Sequence, residues 1–251
     1  MQTTSLMFLI VCPMLFLAGF VDSIAGGGGL ISLPAYMLAG LPIHSAIATN
    51  KLSSTCGTSL SLLRFIKHRL INFKVAIPAV IAGMIGSFCG AKLSLFIPET
   101  FLKQMLLAVL PVAALIVLNK DLFKDNGKTE VEVNAKTLAI VITSAFVIGM
   151  YDGLYGPGTG TFLIIIFTVL AKMGIAPANA HSKAINASTN ISALIVYLTS
   201  GQIYIALGLA AAVFNMLGNY VGSGLVMKKS TRITKPIILT VLILLLFKII
   251  L

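Results

Sequence analysis

The sequence predicts an all-α integral membrane protein made of two inverted-topology repeats. Each repeat holds about five helical elements, including a glycine-broken, half-length helix. Three observations predict this: too few polar side chains to cover a water-facing surface, ten apolar runs along the chain, and an ordered recurrence of residues between its two halves. Of the 251 residues, 10% are charged and 58% hydrophobic, and the mean hydropathy is +1.02. A soluble domain of average make-up is about 25% charged. The composition therefore excludes a soluble enzyme, a nucleic-acid reader and a disordered tail.

The elements follow from the apolar runs. They lie at about 5–24, 29–41, 43–66, 74–97 and 101–119, then 137–155, 159–173, 177–200, 203–227 and 236–251. A spanning helix needs about 20 apolar residues to cross about 30 Å of hydrocarbon. Most of the runs reach that length. Elements 29–41 and 159–173 fall short. Each follows a glycine cluster, Gly26 to Gly29 in one case and Gly156-Pro157-Gly158-Thr159-Gly160 in the other. Gly and Pro stop a helix there, and irregular backbone at membrane depth must be buried in protein or line a wet cavity. The long polar stretch Asn119 to Lys136 divides the chain. This gives a first membrane repeat over 1–118, a linker over 119–136 and a second repeat over 137–251.

The halves correspond residue by residue. Gly19 and Asp22 match Gly149 and Asp152, and Gly26 and Gly28 match Gly156 and Gly158. Ala46, Ala48 and Lys51 match Ala178, Ala180 and Lys183; Met84, Gly86, Gly90 and Leu93 match Met216, Gly218, Gly222 and Leu225. The offset changes only from 130 to 132 along that run. The net charge of +11 reads as the positive-inside rule and not as a nucleic-acid footprint. Arg64, Lys67, Arg69 and Lys74, the four linker lysines, and Lys228, Lys229, Arg232 and Lys235 mark three cytoplasmic segments. Both chain termini then fall outside. The third element ends inside, whereas its counterpart in the second half ends outside. Opposed equivalent elements make an inverted repeat, a mark of secondary transporters with a midplane site.

The chemistry is expected at that site. Lys51 and Lys183 lie about 12 Å into equivalent elements, where each Lys costs roughly 2.5–3.5 kcal/mol. They either attract a small anionic substrate or pair with Asp22 and Asp152 to tie helices together. Asn50 adjoins Lys51. Ser54 and Thr58 follow Lys51, and Asn186 and Asn190 follow Lys183, at spacings that share a helix face. Their amides and hydroxyls suit anionic oxygens, and they equally suit interhelical packing. Gly27, Gly28, Gly29, Gly158 and Gly160 precede short-helix N-termini, whose free N–H groups favour an anion. Asp22 and Asp152 read as counter-ions, helix-end ligands or carriers of protons as a coupling ion. His181 reads as structural. His44 and His68 read as interface or loop residues. Gly86xxxGly90 and Gly218xxxGly222 read as close packing faces. Cys12, Cys56 and Cys89, an odd number inside apolar runs, read as small apolar residues and not as a disulfide framework. No metal set, cofactor motif or nucleophile–base pair is present, so no enzyme, metal or cofactor is expected. Met1 to Ala25 has no basic n-region and does not read as a cleavable signal peptide.

The run Gly19-Phe-Val-Asp22-Ser-Ile-Ala-Gly-Gly-Gly-Gly29-Leu-Ile with Ala48-Thr-Asn-Lys51-Leu resembles the first signature of the TauE/SafE sulfite-exporter family. Tyr151-Asp-Gly-Leu-Tyr-Gly156-Pro-Gly-Thr-Gly160-Thr-Phe with Lys183-Ala-Ile-Asn186-Ala-Ser-Thr-Asn190 is similar to the second half of its YfcA-like branch. His181-Ser182 departs from the more regular apolar-Ala pair before the Lys. The resemblance implies a duplicated permease in a prokaryotic plasma membrane, exporting sulfite, sulfonates or related small organic anions. Its partners would be the anion, the lipid bilayer, protons and a second copy in a homo-oligomer, with no nucleic acid. Two other readings stay open: a membrane scaffold without transport, and a cation transporter using Asp22 and Asp152. The Lys pair opposes the cation reading, since ammonium groups repel cations.

Overall fold

The computed structural model describes residues 4–118 and 131–227. Most of the expected linker, the 228–235 loop and the last apolar element, 236–251, lie outside the described residues.

The described residues outside the connecting loops are helical. The helices are α1 (Ser5–Ala25), α2 (Gly29–Leu38), α3 (Ile43–Lys67), α4 (Phe73–Ser94), α5 (Glu99–Leu118), α6 (Ala135–Leu154), α7 (Thr159–Val169), α8 (Ile175–Thr199) and α9 (Ile205–Met227). Local sequence sets their ends. Asn72 caps α4 by accepting from the Lys74 N–H at 3.0 Å. Asn134 caps α6 by accepting from the Thr137 N–H at 2.8 Å. Such a cap satisfies one of the four free N–H groups of a helix start. α2 and α7, with 10 and 11 residues, are the expected half-length helices.

α1, α4, α6 and α9 are long and apolar enough to cross a membrane. Their outward faces are apolar stripes at helical spacing, Ile77, Ile81 and Ile85 on α4 and Ile205, Leu209, Val213 and Leu217 on α9. α3 and α8, 25 residues each, carry the polar residues and bury them. This arrangement is what a bilayer requires: apolar side chains face lipid, and polar ones face other helices.

Glycines let the cross-half seams close. On α4, Gly86 packs on the backbone of Phe146 and Met150, and Gly90 on Met150 and Leu154 of α6. On α9, Gly218 packs on the backbone of Phe16 and Phe20, and Gly222 on Phe20 and Ser23 of α1. A Cβ at any of these would collide with main chain, as expected of Gly-xxx-Gly faces. In both seams contacts advance in the same direction along the two helices, so α4 runs with α6 and α9 with α1. Ser61 and Gly19 both meet Asn219, and Thr49 meets Tyr204, so α3 runs with α1 and α9.

The two helix breaks meet. Gly26, with φ +73°, has its Cα face against the backbone of Gly160, and Gly29 lies against Pro157. The left-handed backbone and this contact both require glycine at 26. Thr161 Oγ1 donates to the Ala25 carbonyl at the end of α1 at 2.7 Å, and Ser182 Oγ to the Gly160 carbonyl in the first turn of α7 at 3.0 Å.

Candidate functional site

A polar cavity opens where the breaks meet the middle of α3 and α8. Asp22, Asn50, Lys51, Ser54, Thr58, Asp152, Asn186 and Asn190 line it, with Gly28 and Gly29. Most of the residues singled out by spacing therefore converge on one place. The cavity is narrow, about 20 Å3, on the order of one or two water molecules.

Lys51 is its central cation. The residue is 1% exposed, and its Nζ lies 2.8 Å from Asp152 Oδ2. Nζ also donates to Asn190 Oδ1 at 3.0 Å. Gly156 lies beside it, with no side chain to displace the ammonium group. Asn190 Nδ2 lies 3.3 Å from Asn186 Oδ1, one turn along α8. Ser54 Oγ donates to Asn50 Oδ1 at 3.2 Å. Thr58 Oγ1 donates to the Ser54 carbonyl at 2.7 Å. Thr159 Oγ1 lies 2.9 Å from Asp152 Oδ1 and 2.8 Å from the Gly156 carbonyl. Its single proton serves one of them at a time.

Lys183 is placed differently. It is fully buried and is absent from the cavity lining. Its Nζ contacts Asp22 Oδ2 at 2.7 Å and the Asp22 carbonyl at 2.6 Å. The expectation that both lysines face the cavity is corrected here. Lys183 is consumed by the end of α1, where it pairs with the Asp22 carboxylate and adds a second donor to the Asp22 carbonyl, which already accepts the Gly26 N–H at 2.8 Å. Gly27, Gly158 and Gly160 also lie off the lining. Gly158, with φ +86°, starts α7, and Gly160 packs on Gly26.

Each ion pair joins one half of the chain to the other, Lys51 to Asp152 and Lys183 to Asp22. With all four groups ionised the cluster is formally neutral.

Four lining residues were not singled out as site residues: Gly26, Gly156, Thr159 and Asn215. Asn215 had a readable signal, a polar side chain deep in an apolar run. Its counterpart at the 132 offset is Gly83, so the repeat gave it no support. His181 is buried and structural in its contacts. Its ring nitrogens meet the Pro177 carbonyl at 2.8 Å and the Asn72 N–H at 3.2 Å. His44 meets the Ile97 carbonyl at 3.1 Å.

The profile of the family described as Sulfite exporter TauE/SafE matches residues 11–249. A "Probable membrane transporter protein ORF9" of Sinorhizobium sp is 35% identical over 237 residues, covering 94% of this chain and 88% of that protein. The "Probable membrane transporter protein YfcA" of Escherichia coli is 32% identical over 249 residues, covering 96% and 91%. A "Probable membrane transporter protein" of Haemophilus influenzae is 31% identical over 224 residues, covering 89% and 86%. No solved structure matches the chain. The matched span takes in both helix breaks, both buried lysines and the cavity between them, and by it the chain belongs to the TauE/SafE family of sulfite exporters and is a multi-pass membrane transporter.

Proposed function

We propose that this protein is a secondary exporter of small anions, of the class of sulfite, sulfonates and related organic anions, across a prokaryotic plasma membrane. The observation that carries the reading is Lys51: a buried ammonium group that lines a polar cavity at the junction of two broken helices. Broken helices around a central cavity are how transporters present helix-end dipoles and polar groups to a substrate. Asn50, Ser54, Asn186, Asn190 and Thr159 supply amide and hydroxyl donors beside it. The site is narrow, so substrate entry requires the halves to move apart.

An inverted repeat supports alternating access. Lys51 of α3 meets Asn190 of α8. Phe65, near the end of α3, packs in one cluster with Ala180 and Ala184 of α8. Moving along α3 from 51 to 65 thus moves backward along α8 from 190 to 184 and 180, so the two equivalent helices are antiparallel. An axis in the membrane plane, both chain termini outside and the 119–136 segment in the cytoplasm fit that arrangement and the loop charges.

Protons fit as the coupling ion. Lys51 is neutralised by Asp152, so it attracts an anion fully only when Asp152 is protonated. The anion and the proton would then bind and leave together, so the outward anion gradient drives export and carries the proton with it. The cation-transporter reading lacks support, since both carboxylates are already paired to lysines.

The test is flux of labelled sulfite, sulfonates and carboxylates in proteoliposomes, with and without a proton gradient. Wild-type protein should move at least one of these anions, and Lys51→Met combined with Asp152→Asn, which strands no buried charge, should abolish that flux while keeping a monodisperse elution profile. Absence of flux for every anion would favour the scaffold reading.

A further inference from the structure

Among the described residues, a line of polar side chains leads away from the cavity along the seam between α3 and α9. Asn215 lines the cavity. One turn on, Asn219 Nδ2 donates to Asn215 Oδ1 at 2.9 Å. Ser61 Oγ of α3 donates to Asn219 Oδ1 at 2.5 Å. A further turn on, Arg64 Nη1 donates to Ser223 Oγ at 3.0 Å and to the Tyr220 carbonyl. Its guanidinium lies 4.2 Å from the centroid of the Tyr220 ring. Asn215, Asn219 and Ser223 are four apart on α9, and Ser61 and Arg64 are three apart on α3. They therefore form facing stripes on two helices. Arg64 is half-buried, near the end of α3 at Lys67, where Arg69 of the following loop and Lys74 of the first turn of α4 also lie.

The equivalent seam, between α4 and α8, is built of different residues. At the 132 offset, Asn215 becomes Gly83, Asn219 becomes Ser87 and Ser223 becomes Ala91; Ser61 becomes Ala193 and Arg64 becomes Val196. Ser87 Oγ is spent on the Thr189 carbonyl at 2.7 Å. Ala91, Ala193 and Val196 belong to the apolar core. An oxyanion moving there would shed water and meet only the Ser87 and Ser192 hydroxyls, each bonded to a backbone carbonyl, with no amide or guanidinium, which is costly. In the α3–α9 seam each turn offers an amide, a hydroxyl or a guanidinium that can exchange its internal hydrogen bond for one to an oxyanion.

We infer that the α3–α9 seam is the route by which a small oxyanion passes between the central cavity and the basic face at Arg64. Asn215, Asn219 and Ser61 are the donors along it, and Arg64 is the charge-selecting residue at its mouth. The seam is closed in this structure, with Asn219 and Ser61 at 0% exposure, so passage needs α3 and α9 to part. The inference rests on the transport reading above and adds the route and its mouth.

The test uses cysteines on the full chain after replacing Cys12, Cys56 and Cys89. Ser61→Cys is nearly isosteric and Asn219→Cys probes the next position. Ala91→Cys and Ala193→Cys probe the apolar seam. The probes are the sulfonate-bearing methanethiosulfonate MTSES and the cationic MTSET, applied to oriented vesicles from the Arg64 face for the α3–α9 sites and from the opposite face for the alanine sites. Ser61→Cys and Asn219→Cys should react with MTSES, and the two alanine-site variants should not. Adding Arg64→Gln should slow MTSES at Ser61→Cys by about tenfold while leaving MTSET no slower, the scale of electrostatic focusing. Reaction at the alanine sites with none at Ser61→Cys would overturn the route, and an unchanged MTSES rate in Arg64→Gln would overturn the role of Arg64. Reactive seam cysteines without anion flux would count against the transport reading alone. Flux with an unreactive Ser61→Cys would count against the seam alone.

Discussion

Lys183 Nζ lies 2.7 Å from Asp22 Oδ2, across the boundary between the two halves of the chain and beneath the floor of the cavity that Asp22 lines. The pair is a tie between α8 and the broken end of α1. Asn179 reinforces it, donating from Nδ2 to the Ser23 carbonyl at 3.0 Å. One member faces the site and the other is wholly enclosed, so the pair sets the position of a site residue without offering its own ammonium group to a substrate.

Lys183→Met is therefore expected to act on stability first. It strands the Asp22 carboxylate in a buried position, and breaking such a pair costs about 3–5 kcal/mol. Thermal melting in detergent should fall sharply. Lys183→Met combined with Asp22→Asn should recover most of the loss, because no unpaired charge remains. Wild-type melting of the single variant would mean the pair contributes nothing.

Asp152→Asn imitates the protonated carboxyl and is expected to separate binding from coupling. The neutral amide leaves Lys51 without its counter-charge, so anion affinity should rise by about tenfold, equivalent to about 1.4 kcal/mol. Net flux driven by a proton gradient should be lost, while exchange of labelled for unlabelled anion persists. Unchanged gradient dependence in this variant would remove Asp152 from the coupling scheme.

Much of this site was legible in the sequence for a physical reason. Lipid tolerates few charges and demands long apolar runs, so helix limits, glycine breaks and intramembrane Lys and Asp stand out. The start of α1 at Ser5 and of α7 at Thr159 follow from that rule. The facing of side chains does not. Lys51 and Lys183 are equivalent in sequence, but only Lys51 meets the cavity, because the cross-half register puts Asp22 between Lys183 and that space. Asn215 escaped notice because its partner position is a glycine. Tertiary register decides both cases, and no local pattern encodes it.

His181 and Thr49 occupy positions 132 apart and perform the same task. The His181 ring accepts the Asn72 N–H at 3.2 Å; Thr49 Oγ1 accepts the Tyr204 N–H at 3.1 Å, and residues 72 and 204 are themselves 132 apart. The bond of Nδ1 to the Pro177 carbonyl assigns its proton there and leaves Nε2 as the acceptor. His181→Thr should keep an acceptor at this place and hold flux near wild type. His181→Leu should lose it and leave a backbone N–H unsatisfied, at about 1–3 kcal/mol. Melting curves of the two variants check this, and equal curves would show that the acceptor contributes no stability.

Gly26→Ala is expected to be strongly damaging for a single added methyl group. Two independent constraints meet at this position. Its φ of +73° is a backbone state that L side chains rarely adopt, costing roughly 1–2 kcal/mol. Its Cβ would also fall onto the backbone of Gly160 and the Thr161 nitrogen, where no side chain can swing aside. Relief requires α2 and α7 to separate, which would pull Thr161 from the Ala25 carbonyl and Gly29 from Pro157. Gly40→Ala provides the control. Its φ is +91°, but nothing lies within 4 Å of the added Cβ, so it carries the backbone strain without the collision. Gly40→Ala should therefore lower melting modestly and keep anion flux. Gly26→Ala should lose flux even in whatever fraction remains folded, because the meeting of the two breaks shapes the cavity. Equal behaviour of the two variants would mean that backbone strain alone matters at Gly26, and that the contact between the breaks carries no function.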